Sequence, residues 1–263
     1  MSRASLSDKF RALTHIYRVY AEFGAGVAAA ACREGCAHCC TRNLTLTTLE
    51  GLYLRFVAEA AGRDVPPAGI FAEGIDLSSG PGSLRPFHTI NQTAEALRRG
   101  IEPEALHADA DLPAGSLRDS GEPAETAEFC RLLANDRCSL YEGRPFACRC
   151  MMSVSRCRPG GAAEMPPLIM SINTVVIQTI EHVDQGGFTG NIADVLAALE
   201  DPAFRAGLSA PPPPPEPADV PAQAEMRRAS RPGLLPNHPM TVMMIPPEHR
   251  QAAAPFIQSL HTL

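Results

Sequence analysis

The sequence is poor in the residues that build aromatic cores and basic surfaces. Its 263 residues include no tryptophan, 5% aromatic residues and a single lysine, Lys9. Core packing must therefore depend on Leu, Ala, Val and Ile. The net charge of −6 argues against nucleic acid or an anionic membrane as the partner, because phosphate binding requires a basic face.

A long apolar run is also missing, and the N-terminal stretch "MSRASLSDKFRALTHIYRVYAEF" lacks the apolar segment of a signal peptide. The strong preference for arginine over lysine is typical of a GC-rich genome. We therefore expect a bacterial protein located in the cytoplasm, where thiols are kept reduced. Nine cysteines, an odd number, then indicate metal or redox chemistry rather than disulfides.

The first cysteine block, "CREGCAHCC", places Cys32, Cys36, Cys39 and Cys40 within nine positions. Thiolates are soft donors that suit zinc, iron–sulfur clusters or copper(I), and Gly35 allows a tight turn between them. We expect the neighbouring side chains of Cys39 and Cys40 to point apart. They therefore serve two centres, or one is a ligand and the other packs.

The second block, "EFCRLLANDRCSLYEGRPFACRCMMSVSRC", supplies the other thiols. Its cysteines are Cys130, Cys138, Cys148, Cys150 and Cys157. Since four cysteines complete a tetrahedral zinc site or a cubane cluster, nine imply two metals, a polynuclear site or spare thiols. We interpret His38 as a solvated group or a neighbour of the ligands, and His15 as a residue of a helix surface.

Together the blocks resemble the CxxCxxCC, or YkgJ-like, family of zinc- or iron-chelating cysteine-cluster proteins, over about residues 30 to 160. "CREGCAHCC" and "FCRLLANDRCSLYEGRPFACR" carry the resemblance, the second matching the pattern C-x-L … C-x-I-Y-x-x-R-P-x-x-C-R. The first block has one residue more between its first two cysteines than the family label, and an eighth cysteine has no counterpart. The resemblance implies ligand roles for Cys32, Cys36, Cys39, Cys40, Cys130, Cys138 and Cys148, with Cys150 or Cys157 in the eighth place.

Our predicted metal ligands are accordingly Cys32, Cys36, Cys39, Cys40, Cys130, Cys138, Cys148 and Cys157. We expect Arg144 and Arg149 to donate hydrogen bonds to the thiolates, and Pro145 to stiffen the turn that presents Cys148. The site would hold zinc or an iron–sulfur cluster such as 4Fe–4S, with no catalytic residue indicated. An unidentified protein partner is compatible with this interpretation.

Three functional hypotheses follow. The first is a metal-binding protein with a redox or protein-modification role. The second is a structural zinc module, an interaction scaffold without catalysis. The third is an enzyme: C-x3-C-x2-C is also the spacing of radical-SAM enzymes, whose motif follows the first strand of a β/α barrel, and the family resemblance includes a flagellin lysine methylase.

We predict a mainly α fold, an irregular helical domain with loops organised around a cysteine-ligated metal site. The domain covers residues 1–205, a Pro-rich flexible linker 206–239, and a short C-terminal tail 240–263. The predicted helices are Leu6 to about Ala31, one opened by Thr47 and Glu50 and ending at Gly62, one over 88–99, one over 168–183, and a short final helix capped by Thr189 or Asn191. A short strand-like run over 240–246 would dock on this body.

Overall fold

A computed structural model describes residues 4–27, 31, 35–40, 44–65, 67–73, 85–101, 129–157, 163–209, 231 and 233–262. In these ranges the protein is mainly helical, as predicted. The helices are α1 (Leu6–Ala25), α2 (Thr48–Ala60), α3 (Ala68–Ala72), α4 (Ile90–Arg98), α5 (Phe146–Arg149), α6 (Pro167–Val183), α7 (Ile192–Glu200), α8 (Pro202–Ser209) and α9 (Arg250–Leu260). No helix among these is long and apolar enough to cross a bilayer.

The strands are short and form two antiparallel sheets. They are β1 (Thr45–Thr47), β2 (Leu133–Ala134), β3 (Arg137–Cys138), β4 (Phe188–Asn191) and β5 (Leu234–Pro236). One sheet has the order β1-β4-β5, and the other is the hairpin β2-β3. Single 3-10 turns cover Tyr141–Gly143 and Pro247–His249.

The helices begin where the sequence provides caps. The Thr47 hydroxyl accepts the backbone N–H of Glu50, whose carboxylate accepts the Thr47 N–H in return, so the predicted capping box of α2 is confirmed. Asn191 caps α7 by accepting the Ala193 N–H at 3.0 Å. Helix α2 ends just before Gly62, which has a left-handed φ of 63°.

Strand β4 is the middle strand of the larger sheet and connects the two halves of the body. Gly190 lies opposite Leu46 on β1 and Leu234 on β5. A Cβ atom at Gly190 would lie 2.7 Å from the Gly233 carbonyl oxygen, so glycine is required there. Since β1 runs into α2 and β4 into α7, this pairing fixes both helices relative to each other.

Among the described residues, two apolar clusters form the core. The first joins α1, α6 and α9 through fully buried side chains such as Leu13, Ile172 and Val176. The second joins α2, α3 and α7 around Leu54 and Phe71. Burying such a side chain stabilises the fold by roughly 1.5–3 kcal/mol relative to exposure.

The single lysine is buried beside an aspartate at the junction of the helices. The Lys9 ammonium lies 3.5 Å from the Asp184 carboxylate, which also accepts the Thr48 hydroxyl at 2.7 Å and the Leu49 N–H at 3.0 Å. The Asn237 side-chain amide donates to the same carboxylate at 3.0 Å. One carboxylate thereby links α1, α2, α6 and the C-terminal segment.

Several boundaries differ from the sequence-based expectation. Helix α1 ends at Ala25, and α7 is not the final helix, because α8 and α9 follow it. The run 240–246 contains no strand; the strand lies at Leu234–Pro236, inside the predicted linker, and α8 crosses the boundary at 205. The segment 233–262 packs on the body through β5 and α9, whereas residues 210–230 lie outside the described ranges.

Candidate metal centre

Cysteines from both blocks line one cavity of about 450 Å³. Those described are Cys36, Cys39, Cys40, Cys130, Cys138, Cys148 and Cys157. The remaining predicted ligand, Cys32, lies outside the described residues. The fold therefore brings together seven of the eight cysteines that the sequence singled out.

The first block forms a tight turn that is joined to the second block through the backbone. Gly35, which the sequence analysis placed in a tight turn, has a left-handed φ of 81°, and the Cys40 N–H donates to the Ala37 carbonyl at 2.9 Å. The Cys40 carbonyl accepts the Cys130 N–H at 2.9 Å. Two thiols that are ninety positions apart in the sequence are thereby held at the same cavity wall.

A two-residue hairpin separates Cys130 from Cys138. Asn135 and Asp136 both have positive φ, 52° and 60°, which is the conformation of a type I′ turn. The turn pairs Leu133 with Cys138, and the Leu133 N–H donates to the Cys130 carbonyl at 3.0 Å. The hairpin explains how both cysteines reach one cavity.

Cys148 lies on α5, which a buried carboxylate connects to the helical body. Pro145 is the N-cap of this short helix, and its carbonyl accepts the Cys148 N–H at 3.0 Å. The Phe146 N–H donates to Glu50 at 2.7 Å, and the same carboxylate accepts the Tyr17 hydroxyl at 2.9 Å. Glu50 therefore positions the segment that carries Cys148.

Cys150 has a different environment although it is two positions away. Its side chain packs against the first apolar cluster, and its thiol donates to the Ala147 carbonyl at 3.4 Å. Burial raises the pKa of this thiol to about 12. Cys157, in contrast, lines the cavity. Of the two cysteines considered for the eighth place, the structure brings Cys157 to the others.

Four of the thiols are close enough to influence one another's ionisation. Burial raises the pKa values of Cys130, Cys138 and Cys148, and for Cys148 the Cys130 and Cys138 thiols add to this effect. The Cys39 thiol donates a hydrogen bond to Cys40, so these two side chains do not point apart as expected, and this bond lowers the pKa of Cys40. Burial and the Cys148, Cys130 and Cys138 thiols oppose that change. Each member of the set Cys40, Cys130, Cys138 and Cys148 thus interacts with the other three.

The two arginines line the cavity, but the hydrogen bonds described for them go to backbone carbonyls and not to thiolates as we expected. Arg144 Nε donates to the Tyr141 carbonyl at 3.1 Å, and its guanidinium carbon lies 3.4 Å from the centre of the Tyr141 ring. Arg149 Nε donates to the Arg144 carbonyl at 2.7 Å. The Arg144 charge still lowers the pKa of the Cys138 thiol against the effect of burial.

Other residues of the cavity wall were not predicted. Met151 and Met152 line it with thioether groups, and Arg137 and Asp136 line it from the hairpin. The only signal for the methionines in the sequence is their position directly after Cys150. Apolar side chains complete the wall; they are Leu44, Leu54, Leu132, Leu133, Leu140 and Ile192.

A second, smaller cavity of about 320 Å³ lies against the first. Cys36 and Cys157 line both cavities, and His38 lines only the smaller one. His15 lines neither cavity, and its Nε2 lies 3.0 Å from the Ser259 carbonyl on α9. The structure therefore separates the two histidines that the sequence analysis considered.

In the ranges that the structure describes, no three His, Cys, Asp or Glu side chains stand as a group that could hold a metal ion. By donor chemistry the cavity fits a thiophilic metal, since the described residues of its wall include many thiols and a single carboxylate, Asp136. Coordination would require the thiols to draw together, by rotation of side chains or movement of the turn at Gly35.

Comparison with models of protein families, with curated proteins and with solved structures finds no match for this chain. The resemblance to the CxxCxxCC family consequently remains a prediction that depends on the two cysteine blocks alone. The function of the site is therefore inferred from its own residues.

Proposed function

We propose that this protein binds a metal centre, zinc or an iron–sulfur cluster, through cysteines of both blocks. The observation that carries the proposal is the convergence of seven cysteines from distant segments on one cavity of about 450 Å³. Thiols packed only as small apolar side chains have no reason to collect at one cavity. A thiophilic metal supplies that reason.

The surroundings of the thiols suit a thiolate centre. Binding displaces the proton from each coordinating thiol, and it must overcome the burial that favours the neutral form of Cys148. The positive charges of Arg137 and Arg144 on the wall would offset the negative charge that the thiolates then carry. The leucine side chains of the wall limit access of water to the bound metal.

The number of thiols favours an iron–sulfur or other polynuclear centre over one zinc ion. Four thiols satisfy a tetrahedral ion, and the cavity offers more than four. An iron–sulfur cluster would give the protein a redox or protein-modification role. A structural zinc module is the alternative, and the set Cys40, Cys130, Cys138 and Cys148 would suffice for it.

The radical-SAM hypothesis gains no support from the fold. The strand pairs that the structure describes are all antiparallel, and the first cysteine block precedes β1 instead of following a strand of a barrel. The lysine-methylase hypothesis rests only on the family resemblance.

Elemental analysis and visible absorption of protein purified without oxygen test the proposal. Iron and sulfide with a broad thiolate-to-iron band would indicate an iron–sulfur cluster, and zinc without colour would indicate a structural site. The matched variants are Cys148→Ser and Cys150→Ser, which make the same chemical change two positions apart. Cys148→Ser is expected to lose the metal and Cys150→Ser to keep it. Wild-type protein without stoichiometric metal, or equal loss in both variants, would refute the proposal.

A further inference from the structure

The larger cavity also has the size and the wall of a site for a small organic molecule. Its volume of about 450 Å³ lies within the range of small-molecule pockets, about 300 to 1,000 Å³, which are lined mainly by apolar side chains. The apolar part of its wall includes Leu54, Leu132 and Leu140, which are buried members of the second apolar cluster. These side chains are held by the core, so this part of the wall exists before any ligand binds.

The charged side chains of the wall are mostly positive. Arg137, Arg144 and Arg149 line the cavity, and Asp136 is the only carboxylate among the described residues of its wall. Thiols add no charge at a pH well below their ordinary pKa of about 8.5. Under that condition the wall favours an anion over a neutral molecule or a cation.

Arg144 is the arginine best placed to bind such an anion. Its Nε donates to the Tyr141 carbonyl at 3.1 Å, and its guanidinium carbon lies 3.4 Å from the centre of the Tyr141 ring. These contacts orient the guanidinium, and its two terminal nitrogens have no hydrogen-bond acceptor among the described residues. Arg149 differs, because its Nε and one terminal nitrogen already donate to the Arg144 and Glu142 carbonyls.

We infer that the cavity binds a small organic acid, whose carboxylate pairs with Arg144 and whose apolar chain lies against the leucines. The two terminal nitrogens of a guanidinium can donate parallel hydrogen bonds to one carboxylate. Arg144 is partly buried, and partial removal from water strengthens such a pair. The inference goes beyond the proposed function, since it requires the arginine and the leucines but no bound metal.

Isothermal titration calorimetry of the purified full-length protein at about pH 6.5, where ordinary thiols are neutral, tests the inference. The probes are octanoate and octanamide, which have the same chain and nearly the same shape but differ in charge. Wild-type protein should bind octanoate about tenfold or more tightly than octanamide, because hydrogen bonds between charged groups are stronger than neutral ones. Equal affinities of the wild type for the two probes would overturn the inference.

The Arg144→Gln variant should bind octanoate about tenfold more weakly than the wild type and octanamide equally well. A variant that had lost its fold would bind both probes more weakly, so octanamide reports on the integrity of the cavity. Arg144→Lys, which keeps the charge but not the paired donors, should retain part of the preference for octanoate. The control is Arg18→Gln, an exposed arginine of α1 that does not line the cavity, and it should behave as the wild type.

An undiminished preference for octanoate in Arg144→Gln would overturn the assignment of the carboxylate to this arginine. Metal content measured on the same wild-type sample separates the inference from the proposed function. Bound metal without a preference for octanoate would overturn the inference and leave the proposed function intact. A preference for octanoate without bound metal would support the inference and refute the proposed function.

Discussion

The helical body and the cysteine region differ in what holds them together. Helices α1 and α6 have 20 and 17 residues, and they carry side chains that are fully excluded from solvent. In the cysteine region, residues 129–157, the elements are two to four residues long and the thiols are half-buried. The body is stabilised by apolar burial, whereas the cysteine region depends on turns and on contacts with the body.

This difference indicates a division of roles. The body has an apolar core of its own, since its two apolar clusters lie mostly in helices outside the cysteine blocks. The cysteine region contacts it through the Glu50 carboxylate, the buried Phe146 ring and the buried Leu132 and Leu140 side chains of the second apolar cluster. The thiols themselves are half-buried, which leaves room for metal binding to reorganise them.

Replacing the carboxylate that joins the two regions should have the largest effect. Glu50→Ala leaves the Tyr17 hydroxyl and the Thr47 and Phe146 N–H groups without their acceptor, and buried unpaired groups cost about 1–3 kcal/mol each. We expect the free energy of unfolding to fall by about 4 kcal/mol, together with reduced metal content. Urea denaturation and elemental analysis measure the two effects.

The matched control for Glu50 is Glu22→Ala, which removes an exposed carboxylate bonded to Arg18 on α1. Its cost should stay below about 1 kcal/mol, as for other surface ion pairs. If Glu50→Ala were no more destabilising than Glu22→Ala, the link between body and cysteine region would not be the one described.

The stability of the helical body should change with pH, by an amount of intermediate size, because of Glu181. Burial raises the pKa of Glu181 from 4.5 to about 7, although its carboxylate accepts the N–H groups of Ile90 and Asn91. Between these pH values the folded protein keeps a proton that the unfolded chain releases. The free energy of unfolding should therefore decrease as the pH rises through this range. Each pH unit contributes about 1.36 kcal/mol, so the total decrease is about 3 kcal/mol.

Thermal unfolding of Glu181→Gln between pH 5 and 8 measures this contribution. The variant should lose much less stability than the wild type over that range, while Asp184, whose pKa burial raises to about 6, continues to act in the same direction. Glu59→Gln, an exposed site on α2, should behave as the wild type. Parallel stability curves for Glu181→Gln and the wild type would show that Glu181 does not titrate in this way.

The smallest effect is expected in the hairpin of the cysteine region. Asn135 has a φ of 52°, which costs most residues about 1 kcal/mol and costs glycine nothing. Asn135→Ala should therefore weaken zinc binding by less than about tenfold, whereas Asn135→Gly should match or exceed the wild type. Titration with zinc, in competition with a chromophoric chelator, measures the affinity of each variant. If Asn135→Ala and Asn135→Gly bound zinc equally tightly, the turn would not control how Cys130 and Cys138 are presented.

Sequence reasoning succeeded where the structure depends on neighbouring residues. The capping box of Thr47 and Glu50, the cap at Asn191 and the tight turn at Gly35 all follow from interactions within a few positions. It missed α9, whose apolar residues Ala253 and Phe256 pack against α1 and α6, because that contact spans most of the chain. It likewise missed the hairpin, since Asn-Asp is a weaker turn signal than Asn-Gly.

The sequence by itself indicated which cysteines to consider, the helical character of the body and the approximate bounds of α2, α4, α6 and α7, because periodicity and capping act over one or two turns. Only the tertiary structure decided how the thiols are distributed: Cys148 and Cys157 at the cavity, Cys150 against the first apolar cluster, and Cys36 between two cavities. Spacing cannot make that distinction. The direction in which each side chain points depends on the long-range packing of α1, α2, α6 and the strands around the cysteine region.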